Sequence, residues 1–231
     1  MEKLEKDAAL KVDFFGKEYV FERLNPFTVR ISSEAHRTAA SFSGELFVDM
    51  KKGFYGRPYL IKFKDALRLS PKSRLKLFLK LPLITKLVLE GSGKSLEVDR
   101  HIEYNRMAWH GEVHKGILCT YVEAEFAFDN PFQTHDALVP LRILNRSEVP
   151  REVSKIVIEP DDLFLVKGDN GIFTNKVYIL VIASNEFSVE YGTRTSAKVV
   201  NPHILIDRKI SIAKTVLIRF DRFGIARELG L

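Results

Sequence analysis

Hydrophobic and polar residues alternate along most of this chain. In residues 74–81, four leucines occupy the odd positions and basic residues occupy three of the even positions. A strand places alternate side chains on one face, whereas a helix would scatter these leucines around its axis. Further strands are predicted by the same pattern or by short apolar runs at 17–24, 28–32, 40–48, 59–69, 74–89, 95–104, 117–121, 138–144, 153–158, 163–166, 176–183, 187–191, 203–206 and 215–220. Helical spacing is hard to find, so the pattern predicts an all-β protein.

Turn signals divide these strands into a regular series. Pairs such as Asn25-Pro26, and the run Gly-Asp-Asn-Gly at 168–171, separate strands about every 8–12 residues, which is typical of β-sandwiches or barrels. The cluster D-N-P-F-Q-T-H-D at 129–136 is the best linker candidate. We therefore predict two β-sandwich-like domains, mostly antiparallel, with an N-terminal domain at 1–130 and a C-terminal domain at 131–231.

The composition limits the class of protein. Its 45% hydrophobic and 29% charged residues are typical of a globular fold, and a single Cys excludes a disulfide-built secreted scaffold. The first ten residues lack the features of a signal peptide, and no apolar run reaches the roughly 18 residues of a membrane span. We therefore predict a cytoplasmic protein with no transmembrane segment, or one peripheral to a membrane. Scarce Gln and Cys beside many charges point to a thermophile.

The segment W-H-G-E-V-H-K-G-I-L-C-T-Y at 109–121 predicts a central strand entered through a tight turn. His110, Glu112 and His114 occupy alternate positions, so they would share one face of a strand and could bind zinc. Structural zinc normally takes four protein ligands, and no fourth ligand is evident, so we predict no metal site. Cys119 lies within an apolar run, which favours a small buried hydrophobe over a nucleophile.

Several segments resemble one known family. The run H-G-E-V-H-K-G-I-L-C-T-Y is similar to a Y-G-x-x-x-x-G-x-I-C-x-Y segment of uncharacterised, mainly archaeal proteins of this length. The same family has segments like Y-L-I-K-F-K-D-A-L-R-L-S-P-K-S with K-L-P-L, L-R-I-L-N-R-S with V-S-K-I-V-I, and F-G-I-A-R-E-L-G-L. The family is known only as a domain of unknown function, so the resemblance implies a lineage and no mechanism. This chain has His110 where the family tends to have Tyr, and it also departs at His114, which argues against a family-wide metal site.

The positive charge is concentrated in one segment. Residues 51–80 contain ten Lys and Arg and one Asp, a local charge of +9, whereas the whole chain carries +6, so the other 201 residues carry −3. The predicted polyanion-binding residues are Lys62, Lys64, Arg68, Arg74, Lys76 and Lys80. If strands 59–69 and 74–81 pair across 70–73 with their apolar faces together, these cations lie on one outer face. Like charges across a ladder repel, and phosphates of nucleic acid or anionic lipid would offset that repulsion. The alternative is a solvated face screened by salt and by acids such as Glu97 and Asp99.

Three functions remain open. The chain has no phosphate-binding G-x-x-x-x-G-K-[ST], no G-x-G-x-x-G and no G-x-S-x-G, so we predict no catalytic residue and no cofactor. The strand pattern favours a non-catalytic β-sandwich interaction module that docks an unknown protein partner. The second function is a polyanion-binding protein that uses the basic face of 51–80. The third is a metal-dependent hydrolase built on the histidines.

Overall fold

The structure is a computed structural model that describes residues 1–5, 9–112, 114–124, 126–127, 136–183, 186–195, 199, 202–206, 215–219 and 228–229. Strands dominate these ranges, and the regular helix in them is one short 3₁₀ turn at Pro160–Asp162. Among the described strands, three pairs of neighbours are parallel and the other pairs are antiparallel. The prediction of an all-β, mostly antiparallel fold is therefore confirmed.

The chain divides into two compact units, and unit 1 combines residues Met1–Gly53 with Ile84–Glu103. The described strands of its β6 sheet are, in order, β1 (Glu2–Leu4), β6 (Leu46–Gly53), β9 (Ile84–Gly91) and β10 (Lys94–His101). Its β3 sheet has the order β2 (Ala9–Phe14), β3 (Lys17–Asn25), β4 (Thr28–Ser32) and β5 (Arg37–Ser41). Phe14, Phe21 and Val29 from the β3 sheet share one buried core with Leu46 and Leu87 from the β6 sheet. Unit 1 is thus a sandwich of two sheets.

Unit 2 combines residues Phe54–Leu83 with Tyr104–Leu231, and its described strands form two sheets. In its β7 sheet the described strands are, in order, β15 (Arg151–Ile158), β7 (Tyr59–Leu69), β12 (Ile117–Ala124), β11 (Met107–His110) and β22 (Glu228–Leu229). In its β14 sheet they are β20 (His203–Ile206), β16 (Leu165–Gly168), β17 (Gly171–Phe173), β14 (Ala137–Asn145), β18 (Val177–Ala183), β19 (Glu186–Tyr191) and β21 (Thr215–Arg219). On its other side β14 pairs with β8 (Arg74–Leu81), which in turn pairs with β13 (Phe126–Ala127). The two sheets contact each other through β12 with β8 and through β15 with β18.

The units are interleaved in sequence, which differs from the predicted division at 130/131. The segment 54–83 contributes β7 and β8 to unit 2, and the chain then supplies β9 and β10 to unit 1 before it returns. The single run predicted at 74–89 is two strands, because Pro82 and Leu83 separate β8 from β9. Most of the predicted linker, 128–135, lies outside the described residues. A division at that linker stays a prediction.

Strands 59–69 and 74–81 do not pair with each other, so the hairpin that would have placed all six cations on one face is wrong. β7 pairs with β12 and β15, and β8 pairs with β13 and β14, so the two strands belong to different sheets. The connection at 70–73 is bonded to the end of β14 and the residues after it: the Lys72 amide donates to the Ser147 carbonyl at 3.1 Å, and the Asn145 amide donates to the Ser73 carbonyl at 2.9 Å. The turn therefore links the two sheets of unit 2 instead of closing a ladder between its own flanking strands.

Candidate anion-binding site

The six predicted cations are divided between the two sheets of unit 2. Lys62, Lys64 and Arg68 lie exposed on β7, alternating with its buried apolar residues. Arg74 and Lys76 lie exposed on β8, and Lys80 is half-buried on the same strand. The alternation thus placed these side chains correctly on the outward side of each strand. The structure does not bring all of them onto one face.

Carboxylates accompany the cations on the β7 sheet. Arg68 Nε lies 3.7 Å from a carboxylate oxygen of Glu152 on β15. Lys62 lies opposite Glu123 on β12, and on its other side it lies opposite Lys155 on β15. Because Glu123 and Glu152 lie beside these cations, this surface has a weaker net potential than the sequence of β7 alone suggests.

The outward side of the β14 sheet contains a hollow of about 350 Å³. Its wall includes the basic side chains of Lys76, Arg142 and Lys176 and the apolar side chains of Phe78 and Pro140. The ladders explain this set: Lys76 of β8 pairs with Arg142 of β14, and Phe78 pairs with Pro140 two residues along. Period-two alternation then points both pairs to the same side of the sheet.

Tyr178 anchors two of the three cations. It is the register partner of Arg142 across the parallel pair β14–β18. The Arg142 guanidinium carbon lies 5.5 Å from the centre of the Tyr178 ring, and Lys176 Nζ lies 5.6 Å from the same centre. Both distances fall within the range in which a cation is attracted to an aromatic ring. The ring thereby holds Arg142 and Lys176 beside the hollow without neutralising either charge.

The Arg142 Nε atom is buried and has no hydrogen-bond partner among the described residues. A buried donor without an acceptor costs about 1–3 kcal/mol, so such groups are nearly always satisfied in proteins. A phosphate or carboxylate oxygen in the hollow is an acceptor of the kind that a guanidinium binds best. Arg142 also lines the hollow, so its guanidinium can donate to an anion there.

The charged side chains that line the hollow are all positive. Within the described part of the chain, no ion pair involves Lys76, Arg142 or Lys176. The register places one carboxylate on the same row, Glu190 of β19, across from Tyr178. Two strand spacings separate Glu190 from Arg142, which is about 10 Å, so its attraction is partly screened.

The backbone at Lys176 is held from several sides. The buried Asn175 side chain donates to the carbonyls of Asp162 and Gly192 at 3.0 and 2.9 Å and accepts from the Phe164 amide at 3.1 Å. The Lys176 carbonyl also accepts a hydrogen bond from the Gly192 amide at 2.8 Å. These bonds place Lys176 at the rim of the hollow before any ligand arrives.

Arg142 and Lys176 were missed by the sequence analysis because they lie outside the basic segment 51–80. One signal was available for Arg142, since it interrupts an otherwise apolar run, A-L-V-P-L-R-I-L at 137–144. A lone charge in such a strand has to face outwards or meet a partner. For Lys176 we find no comparable local signal.

A family model described as "Protein of unknown function (DUF432)" matches residues 51–219. This match covers more than half of the chain. The chain belongs to the DUF432 family. The family part of the predicted resemblance is thereby confirmed, whereas the archaeal origin and the Y-G-x-x-x-x-G-x-I-C-x-Y motif stay predictions. A search of curated proteins and a search of solved structures each returned no match.

The DUF432 match contains β7, β8 and every residue of the hollow, and it starts only at residue 51 in β6. Most of the first part of unit 1, residues 1–50, lies outside it. The region that defines the family therefore includes the candidate site. The family description assigns no activity to it.

The histidine segment forms the β11–β12 hairpin of the DUF432 region. Glu112 and His114 are exposed near its turn, and His110 is half-buried at the end of β11. Burial lowers the pKa of His110, and the charge of nearby Lys155 lowers it further. Among the described residues, no group of three or more His, Cys, Asp or Glu is arranged to hold a metal ion.

Cys119 is fully buried on β12, as predicted from its apolar neighbours. Burial is the main cause that raises the pKa of its thiol to about 12. A neutral, inaccessible thiol cannot serve as a nucleophile near neutral pH.

In the described residues there is also no helix that is long and apolar enough to cross a membrane.

Proposed function

We propose that this DUF432 protein is a non-catalytic module that binds polyanions through the outward side of its β14 sheet. The observation that carries this proposal is the convergence of Lys76, Arg142 and Lys176 on one hollow. Compared with the sequence-based alternative, the binding surface moves from all six cations of β7 and β8 to β8 and its neighbours in the β14 sheet.

The charge arrangement supports a ligand with several phosphates or sulfates. Three cations around one hollow raise the local potential and attract an anion, and exposed Arg74 extends the positive strip along β8. Binding that neutralises about three phosphates should make the logarithm of the association constant fall by about 2–3 for each tenfold rise in salt.

A second candidate function is docking of a protein partner, the function favoured by the sequence. Its support is the exposed apolar pair Ile117 and Leu118 on β12, which are 42% and 37% exposed. The two are consecutive on the strand and point to opposite sides, so each offers an apolar contact on its own side. A cytoplasmic location and a thermophilic source are also proposals, supported by the lone reduced Cys119 and by the composition. An archaeal source is proposed on the resemblance to mainly archaeal proteins alone.

Elution from a heparin column tests the polyanion proposal with a matched control. The test variant carries Lys76→Ala, Arg142→Ala and Lys176→Ala, and the control variant carries Lys62→Ala, Lys64→Ala and Arg68→Ala, so that both lose three charges. We expect the test variant to elute at clearly lower salt and the control to stay near the wild type. Circular dichroism melts of all three proteins confirm that each is folded.

Two outcomes would contradict the proposal. Wild-type protein that passes through heparin at low salt binds no polyanion. Equal losses in the two triple variants would show that net charge alone retains the protein, and the hollow would then have no special role.

A further inference from the structure

The hollow combines cations with an apolar wall, which a site for a bare anion does not need. Beside Lys76 and Arg142 lie the half-buried ring of Phe78 and the ring of Pro140. At about 350 Å³ the hollow is at the small end of the range for organic ligands, about 300–1,000 Å³, and well above the size of a phosphate ion. Its size and its lining therefore fit a ligand that carries both a phosphate and a flat apolar part.

The same pairing of charge and apolar surface repeats one step along β8. Arg74 lies two residues before Lys76 on the same side of the strand, about 6.8 Å away along it. The register partner of Arg74 is the half-buried Leu144, which is itself the partner of Leu180 on β18. A ligand running along β8 thus meets two successive cations, each with an apolar side chain nearby.

Single-stranded nucleic acid has the matching repeat. Its phosphates follow a cationic strip while its unpaired bases stack on aromatic side chains, and this combination is the usual way in which proteins bind single strands. In a duplex the base faces are stacked on each other and cannot reach Phe78. An anionic lipid offers a headgroup but no flat ring for the apolar wall.

We propose that the hollow holds one nucleotide of a single-stranded nucleic acid, with its phosphate on Arg142, Lys76 and Lys176 and its base against Phe78. The inference rests on the proposed polyanion binding and specifies the ligand of that same site. The Arg142 guanidinium donates to a phosphate oxygen, and Arg74 contacts the neighbouring phosphate.

Fluorescence anisotropy with a labelled oligothymidylate tests the inference. The comparison ligands are the duplex of the same strand with oligodeoxyadenylate, and vesicles of phosphatidylcholine with phosphatidylserine. We expect the single strand to bind at least about tenfold more tightly than the duplex, because only its bases are free to stack. Phe78→Leu keeps an apolar side chain but removes the ring, and it should weaken single-strand binding about 5- to 150-fold, the range for one lost base stack.

Two further variants separate stacking from charge. Phe78→Tyr retains the ring and should bind the single strand like the wild type. Arg142→Lys retains the charge but removes the planar guanidinium, and it should weaken single-strand binding while the variant still elutes late from heparin. Phe78→Leu should likewise leave the elution from heparin unchanged.

The failure of this inference differs from the failure of the proposed function. Retained heparin binding that depends on Lys76, without preference for the single strand and without an effect of Phe78→Leu, would overturn the nucleotide site alone. Tighter binding to the vesicles than to the single strand would overturn it in favour of a lipid surface. Absence of binding to heparin and to every other polyanion would overturn both.

Discussion

Asn145 joins three segments of unit 2, and its replacement by alanine should destabilise that unit strongly. The side chain is 1% exposed. Its Nδ2 lies 3.2 Å from the Leu69 carbonyl and 2.9 Å from both the Ser70 and Val149 carbonyls. Its Oδ1 accepts from the amide and the hydroxyl of Ser147 at 3.0 and 2.7 Å. The amide thus connects the end of β7 and the turn after it with the segment between β14 and β15.

The magnitude of the loss depends on whether water can replace Asn145 as the hydrogen-bond donor to each of these carbonyls. Val149 and Ser70 are exposed, so water can replace Asn145 at their carbonyls and each loss costs about 0.5–1.5 kcal/mol. Leu69 is buried, so its carbonyl loses a partner that water does not readily replace, at about 1–3 kcal/mol. We therefore expect Asn145→Ala to lower the free energy of unfolding by about 3 kcal/mol, which corresponds to a fall of about 6–12 °C in Tm for a chain of this size.

Urea unfolding followed by tryptophan fluorescence measures this loss in the correct unit. Trp109 is the only Trp in the sequence, and it lies on β11 in unit 2. Asn105→Ala serves as the control, because Asn105 is exposed and should change stability by less than about 0.5 kcal/mol. A loss below about 1 kcal/mol for Asn145→Ala, or an equal loss in the control, would refute the argument that Asn145 holds these segments together.

Three other predictions concern single residues. A Cβ at Gly116 would lie 2.6 Å from the His110 carbonyl oxygen, so Gly116→Ala should cost about 1–3 kcal/mol in the same urea assay, and an unchanged midpoint would contradict the tight turn. Burial raises the pKa of Asp99, but hydrogen bonds from Tyr19 and Lys17 outweigh it and keep that pKa below its usual value. Asp99 therefore stabilises unit 1 at neutral pH, and this contribution is lost as pH falls through the folded pKa. Tyr19→Phe should therefore lower stability near neutral pH and leave a shallower loss on acidification, and parallel pH profiles of the two proteins would speak against the Tyr19 bond. The Cys119 thiol, with its pKa raised to about 12, should react with a thiol reagent only after unfolding, and fast labelling of the folded protein would mean that it is accessible.

The sequence by itself determined the strands and the direction of their side chains. Alternation is a local property, since each residue along a strand points to the side opposite its neighbour whatever the strand pairs with. The outward position of Lys62, Lys76 and Arg74 and the burial of Cys119 could therefore be predicted from the chain alone. The all-β class followed from the same pattern.

The tertiary structure decided which strands are neighbours, and with them the candidate site. Many strands of similar alternation satisfy the same local rule, so pairing is chosen by long-range burial and by bonds such as those from Asn145 to the carbonyls of Leu69 and Ser70. These bonds send β8 to the β14 sheet instead of back onto β7. Arg142 and Lys176 thereby come to lie beside Lys76, although 66 and 100 residues separate them from it in the sequence. Charge counting along the chain could not find them, because a cluster assembled across a sheet has no signature in any single segment.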